Sequence, residues 1–526
     1  MKKTAIPLVA ALVLVAQCEV PETQPLGTLT DQTFYQSERD FDSATLGPYS
    51  AMLNLTYDQN GRGWWNGFLQ PDDDVQFRDP NGENDVFNWT ANDDDFAWVW
   101  QNAYVGISRA NVIVDQLPKA TKFADESRKP RYEAEARFMR AYWYFILARN
   151  WGNVPILTEV PKSVEATRIG NSEPGEVWDL IESDLEFAAE HLPGDYGAEK
   201  GRATKWTALA LLGKVELYRA QWFNTPAKYQ EAITHLNAVL AGPHRLVSDY
   251  GDNFRESTEN NAESLFEVQA TAGDNINAWG TTDTGGAAGH AWTIYVSPSC
   301  FYGTGGTCAP KAWGHGYGQI DITLSLQQEF EPGDPRRFYT MYSVGEDYGG
   351  TQYDGNWSRT RATPAKYNRP FDPDRFPNNL STNNLRIIRF ADVLLLLAEA
   401  ELLGNSNVAR AAQLVNQVRS RARQTHTILT GQPAPASLLP DVPAAGAPVL
   451  WLRQYLMHER RVELATEVHR YDDLVRWHRA GFIYIKTDIQ LGFPESNQNW
   501  QPKHLLKPIP QQELDVNPNL RQNEGY

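Results

Sequence analysis

Two stretches of the sequence set aromatic rings beside carboxylates without helical or strand periodicity. The first reads Trp64-Trp65-Asn66-Gly67-Phe68, followed by Pro71-Asp72-Asp73-Asp74. The second runs from Gly251 to Asn383, is rich in Gly, Asn, Asp and Thr, and carries Trp279, Trp292, Tyr295, Phe301, Tyr302, Trp313 and Tyr317. Indole and phenol rings offer flat apolar faces with polar edges. Fixed polar groups beside such faces orient a hydroxyl-bearing ligand. The pairing suits a sugar, whose C–H face stacks while its hydroxyls donate to carboxylates. The expected ligand-binding residues are Trp279, Trp292, Tyr295, Trp313 and Tyr317 as platforms, with Trp64, Trp65, Asp72, Asp73 and Asp74 as a second cluster of rings and exposed carboxylates. Plainer uses exist for each. Aromatics pack loops or meet a partner, and aspartates cap helices, stay solvated or hold calcium. A long irregular stretch in a compact chain is usually functional.

No catalytic residue is assigned. Glycan hydrolysis needs a pair of carboxylates across the scissile bond, and with 65 Asp and Glu the composition does not exclude it. No motif supports it: H-E-x-x-H, G-x-S-x-G and the P-loop are all missing. Gly314-His-Gly-Tyr-Gly318 lacks the flanking pattern of a nucleotide site and reads as a flexible loop. Cys300 and Cys308 bracket a glycine-rich loop. In an exported chain they read as a disulfide, free thiols being the alternative. A zinc site needs more ligands than these, and none lies at useful spacing. No metal and no cofactor is expected.

The first residues decide the compartment. Lys2 and Lys3 precede an apolar run from Ala5 to Ala16, about a dozen residues. Spanning a bilayer takes about 20, so the run has the shape of a signal-peptide core. It ends at Val15-Ala16-Gln17-Cys18, which suggests cleavage before Cys18 and acylation of that cysteine. Gln17 departs from the small residue usual there, and an ordinary secreted protein is the alternative. Acyl chains anchor through about 0.8 kcal/mol per buried CH₂. Residues 1–17 are thus a signal peptide, 18–31 a lipidated tether and 32–526 a single domain. The net charge of -17 argues against nucleic acid as a partner.

The elements that position these groups are mainly helical. Apolar residues recur at helical spacing over Phe41–Leu53, Phe96–Leu117, Glu133–Arg149, Pro174–Leu192, Ala203–Gln221 and Ala227–Leu240. After a short helix at Ile322–Phe330, they return at Leu385–Ala400 and Val408–Arg423. A Pro/Ala-rich linker, Gly431–Pro448, leads to one long helix from Leu450 to about Ala480 and a tail, 481–526. Alanines at 134, 136, 141 and 148 sit beside large aromatics, as close helix pairs require. The pairs in 96–241 and 385–480 look like degenerate tetratricopeptide units, with 251–383 as the loop-rich ligand region. Arg389, Asp392, Glu399, Glu459, Arg460, Glu463, Arg470, Asp473 and Arg476 fall at helical spacings and read as an ion-pair scaffold, direct partner contact being the alternative.

Several stretches, in order, resemble the SusD/RagB family of starch- and nutrient-binding outer-membrane lipoproteins. They are Glu135-Ala-Arg-Phe-Met-Arg-Ala-Tyr-Trp-Tyr-Phe145 with Trp151-Gly-Asn-Val-Pro155, Ala203-Thr-Lys-Trp-Thr-Ala-Leu-Ala-Leu-Leu212, and Ile388 to Ala400 with Leu414 to Arg421. The longest is Glu459 to Trp477, and the chain closes on Lys507-Pro-Ile-Pro-Gln-Gln-Glu-Leu-Asp-Val-Asn-Pro-Asn-Leu520 and Gln522-Asn-Glu-Gly-Tyr526. The resemblance implies a mainly α fold. Tetratricopeptide-like helix pairs form a right-handed scaffold, with long loops and short strands on the opposite side. It implies a lipid-anchored cell-surface protein that captures a glycan or oligosaccharide and delivers it to a SusC-type TonB-dependent outer-membrane barrel. The helical side would face the barrel, and the loop side the ligand. No catalysis is implied. A peptide cargo within the same family, or a glycan-degrading enzyme, are the alternatives. Ligand loops vary in this family, so the candidate aromatics rest on composition and context.

Overall fold

The computed structural model describes residues 34–57, 72–77, 85–270, 292, 296–297, 318–348, 350–369 and 381–526. Its frame is a row of helices. α1 (Glu38–Ala44) and α2 (Leu46–Tyr57) lead into α3 (Asp94–Gln116), α4 (Lys129–Trp151), α5 (Glu176–His191), α6 (Lys205–Trp222) and α7 (Ala227–Leu240). From α2 to α7 each helix packs on the next. The chain then leaves the row through two short helices, α8 (Leu324–Glu329) and α9 (Arg336–Thr340). It returns in α10 (Phe390–Gly404), which packs on α7 and on α11 (Val408–Thr430). Side-chain oxygens start several of these helices: Asp93 accepts from Asp95 N, Thr204 from Thr207 N and Asn407 from Arg410 N.

Close approach within the row is set by small residues facing large ones. A Cβ on Gly106 of α3 would lie 2.1 Å from the indole nitrogen of Trp143 on α4. Trp143 therefore lies on bare backbone, and its Nε1 donates to Pro48 O at 3.3 Å. The main apolar core takes residues from Ala51 to Ile509. Among the described residues no helix is long and apolar enough to cross a membrane.

The other side carries short strands: β1 (Val75–Phe77), β2 (Ser264–Val268), β3 (Ile320–Ile322), β4 (Met341–Ser343), β5 (Asp347–Tyr348), β6 (Thr351–Gln352), β7 (Ala362–Pro364) and β8 (Leu385–Arg389). They pair antiparallel as β1–β3, β2–β8, β4–β7 and β5–β6.

Three expectations are corrected. Phe41–Leu53 is not one helix but two, divided at Thr45. The run expected as a helix from Leu385 begins as β8, because Leu385-Arg-Ile-Ile-Arg389 pairs with β2 before α10 starts at Phe390. The long helix expected over Leu450–Ala480 is broken. It comprises α12 (Pro448–Trp451), a π-helical turn (Leu452–Leu456), α13 (Met457–Leu464) and α14 (Arg470–Arg479). Between α13 and α14, Thr466 and Val468 take φ of 63° and 65°. Branched residues rarely adopt that conformation. Lys366 stabilises the break, donating to Ala465 O at 2.6 Å and to the Glu467 carboxylate at 2.7 Å. The break turns Glu467 into the core.

Candidate ligand-binding face

β1 and β3 join the two aromatic stretches. Val75 pairs with Ile322 and Phe77 with Ile320, so the segment around 64–74 and the one around 279–317 leave from a shared sheet. Gly318 N donates to Ser297 O at 2.8 Å.

Asp72, Asp73 and Asp74 hold this sheet and are buried. They are 2%, 2% and 1% exposed, against the expectation of exposed hydroxyl acceptors. Arg470 reaches both Asp73 carboxylate oxygens, at 2.6 and 2.8 Å. Arg461 donates to Asp74 Oδ1 at 2.8 Å, Asp73 O at 2.6 Å and Ser325 Oγ at 3.0 Å. Thr323 Oγ1 donates to Asp73 O at 2.6 Å. Asp72 Oδ1 accepts from the backbone N–H groups of Asp74 and Val75. Burial pushes the Asp72 carboxyl well up, with the Asp74 and Asp73 charges adding to it. Burial also opposes the charge on Asp73, but Arg461 and Arg470 outweigh it and hold that carboxyl below its ordinary value. The physical reason for the correction is tertiary: two guanidinium groups from α13 and α14 take the carboxylates inward.

Trp292 is 0% exposed and belongs to the main core, so it presents no open platform. Trp64, Trp65, Trp279, Tyr295, Trp313 and Tyr317 lie outside the described residues, as do Cys18, Cys300 and Cys308. Missed by the sequence reading was a separate aromatic cluster of Tyr342, Tyr348, Tyr353 and Trp357, built by β4–β7 and β5–β6. Tyr342 and Tyr348 lie 4.8 Å apart edge to face, Tyr353 and Trp357 5.3 Å. Tyr342 OH donates to Asn368 O at 2.7 Å, and Asn368 Nδ2 to Ser297 Oγ at 3.1 Å, so the cluster is tied to Ser297. The signal was the recurrence of aromatics at Tyr342, Tyr348, Tyr353 and Trp357 within sixteen residues.

The helical charges form the expected scaffold, and it ties the loop side to the row. Glu463 accepts from Arg389 at 2.5 Å, from Arg336 at 3.2 Å and from Arg421. Glu459 accepts from Arg336 at 2.5 Å and Arg419 at 2.9 Å, and Glu467 from Arg389 at 2.7 Å. A second group joins Asp392 to Lys214 and Arg460, Asp473 to Arg460 and Arg476, and Glu399 to Arg476 and Trp477 Nε1. Burial lowers the Lys366 ammonium to about 8, although Glu467 pulls the other way. Arg336, Lys366, Arg421 and Arg461 were not singled out from the sequence. The four-residue spacing of Glu459, Glu463 and Glu467 is the signal that a row of cations must meet them.

This is the mainly helical SusD-like fold, with paired helices and small sheets. The SusD family profile matches residues 262–526, and a profile described as starch-binding associating with outer membrane matches residues 74–217. The chain belongs to the SusD family. Proteins of this family are binding proteins without catalytic activity. SusD-like protein P25 of Formosa agariphila is 28% identical over 542 residues, covering 97% of this chain and 96% of that protein. A SusD-like protein of Bacteroides ovatus is 28% identical over 508 residues, covering 91% of this chain and 83% of that one. Among solved structures, a laminarin binding SusD-like protein matches with a TM-score of 0.74 and 26% identity, over 94% of this chain and 100% of that one.

Proposed function

We propose that this protein is a surface lipoprotein that binds a glycan or oligosaccharide on its loop side and delivers it to a SusC-type TonB-dependent barrel of the outer membrane. The observation that carries the reading is its likeness, over 94% of its length, to a laminarin binding SusD-like protein. The sheet that joins the two aromatic stretches supports it. Residues 1–17 act as the signal peptide, Cys18 takes the acyl chains and 32–526 work as one domain. Trp64, Trp65, Trp279, Tyr295, Trp313 and Tyr317 are the ligand platforms, and a Cys300–Cys308 disulfide stiffens their loop.

Affinity electrophoresis against a polysaccharide panel that includes laminarin and starch tests the reading. Retardation by a glycan without release of product supports capture. Trp279→Ala and Trp313→Ala should each weaken the retardation about three- to ten-fold without unfolding. Retardation by none of the glycans, with saturable peptide binding instead, moves the cargo to peptides. Cys18→Ala should shift the protein from the membrane to the soluble fraction. A variant that stays with the membrane removes the lipid anchor.

A further inference from the structure

We propose that Phe338 is a sugar-stacking platform of the loop face, backed by a fixed guanidinium. The proposal rests on the glycan-binding reading and adds a residue to it.

Phe338 lies on α9, in Pro335-Arg336-Arg337-Phe338-Tyr339-Thr340. That helix is fastened from within. Arg336 is fully buried and donates to Asp334 at 2.8 Å and Glu459 at 2.5 Å. Tyr339 also turns inward, against Gly251, where a Cβ would lie 2.2 Å from its ring. Its hydroxyl donates to Asp249 Oδ2 at 3.2 Å and accepts from Arg255 at 2.9 Å. With Arg336 and Tyr339 committed to the interior, Phe338 is left outward, 37% exposed. Among the described residues the exposed large hydrophobics include two aromatics, Phe338 and Tyr484. Tyr484 packs beside His478 and Trp500 in the C-terminal part. Phe338 is the one in the loop region.

The ring does not stand alone. The Arg369 guanidinium lies 3.8 Å from the Phe338 centroid and 3.9 Å from that of Tyr342, so the three groups form one stack. Arg369 is itself held, donating to Glu346 at 2.7 Å and Met341 O at 3.2 Å, with 6% of its side chain exposed. A ring fixed this way loses little freedom when a ligand lands on it. Donors and acceptors surround it. Arg337, its side chain 37% exposed, donates to Ser343 Oγ at 2.7 Å and lies 3.5 Å from Glu346. A phenyl ring with mixed polar groups at hand fits a pyranose, which offers a C–H face and hydroxyls that both donate and accept. A strongly charged ligand fits worse, because Arg337 and Glu346 oppose each other. Through Tyr342 and Asn368 the stack also connects to Ser297.

The test compares Phe338→Leu and Phe338→Tyr with the wild type in affinity electrophoresis, using the laminarin, starch and other glycans of the panel, with melting temperature measured alongside. Leucine keeps the apolar bulk and removes the flat ring. Phe338→Leu should bind the retarding glycan about three- to ten-fold more weakly at an unchanged melting temperature, and Phe338→Tyr should restore affinity. If Phe338→Leu binds like the wild type, the platform is overturned and the glycan reading stands. If it binds weakly but also melts early, and Phe338→Tyr does not recover binding, the platform is likewise overturned. If the wild type is retarded by none of the glycans, both fall together.

Discussion

Glu463 is wholly buried and faces the guanidinium groups of Arg389, Arg421 and Arg336. Burial pushes its carboxyl up, but the three cations outweigh burial and hold it well below the usual carboxylate range. Removing the charge leaves three buried cations with one counter-charge fewer, Arg389 and Arg421 keeping Glu263 and Arg336 keeping Asp334 and Glu459. Glu463→Gln should cost about 3–5 kcal/mol, read as a lower urea midpoint at unchanged slope. His458 makes a residue-scale case in pH. Burial lowers its pKa, yet its hydrogen bond to Glu329 at 2.6 Å and its ion pair with Glu331 at 3.3 Å raise it from 6.5 to about 9. The folded value lies above the unfolded one. The stability it adds is therefore complete below about 6.5 and is lost as pH rises through about 9. Its partner Glu331 is held at about 2 by the His458 bond, against burial and with help from Arg419. Glu331's contribution is complete above 4.5 and is lost as pH falls towards 2. Melting curves across both windows should show the wild type weakening at each end. His458→Gln should flatten the alkaline side by on the order of 1–2 kcal/mol, after allowing for partial exposure.

At the scale of elements, the α3–α4 seam reverses an ordinary rule. Gly→Ala in a helix usually stabilises by about 0.5–1 kcal/mol. Gly106→Ala would drive a methyl into Trp143, and should instead destabilise by about 1–3 kcal/mol, with a changed near-ultraviolet signal from that indole. The β1–β3 sheet depends on α13 and α14 through Asp73, Asp74, Arg461 and Arg470. Arg461→Gln should speed amide exchange across Val75–Phe77 and Ile320–Ile322 while α4–α7 keep their protection. A uniform rise over the whole chain would deny the clamp its local role. These elements also mark how far the sequence could be read. The helix row was legible because its apolar spacing is local, and Ala227–Leu240 emerged with its observed bounds. β8 was not, because five residues with three apolar ones among them, Leu385-Arg-Ile-Ile-Arg389, fit a strand or the start of a helix equally well. The break at Thr466–Val468 was hidden for a different reason. It is held by Lys366, 99 residues before Ala465. The same distance effect misled the reading of Asp73, whose partner Arg470 lies 397 residues away. Composition located the irregular region and its aromatics, but burial of Trp292 and of the three aspartates is decided by packing that no short window contains.

For the whole molecule, the C-terminal tail is stitched into the helix row. Lys507 N donates to Asn150 O at 2.6 Å, and Trp151 Nε1 to Pro508 O at 2.9 Å. Asn523 returns to Trp151 O at 3.1 Å, while Asn517 and Asn519 reach Ile169 O and Arg168 O at 2.8 and 2.6 Å. The tail thus straps the end of α4 and the segment that follows it. Deeper in, Lys214 of α6 meets Asp392 of α10 at 3.0 Å, and Arg149 of α4 meets Asp472 of α14. The N-terminal helices and the C-terminal half therefore share buried partners and cannot unfold independently without leaving charges unpaired. Ending the chain after Leu506 should lower stability by on the order of 5 kcal/mol, and the loss should appear as one transition. Circular dichroism at 222 nm and tryptophan fluorescence should report the same midpoint for the full chain. Two separated transitions in the full chain would mean that the strap and the shared ion pairs do not couple the halves.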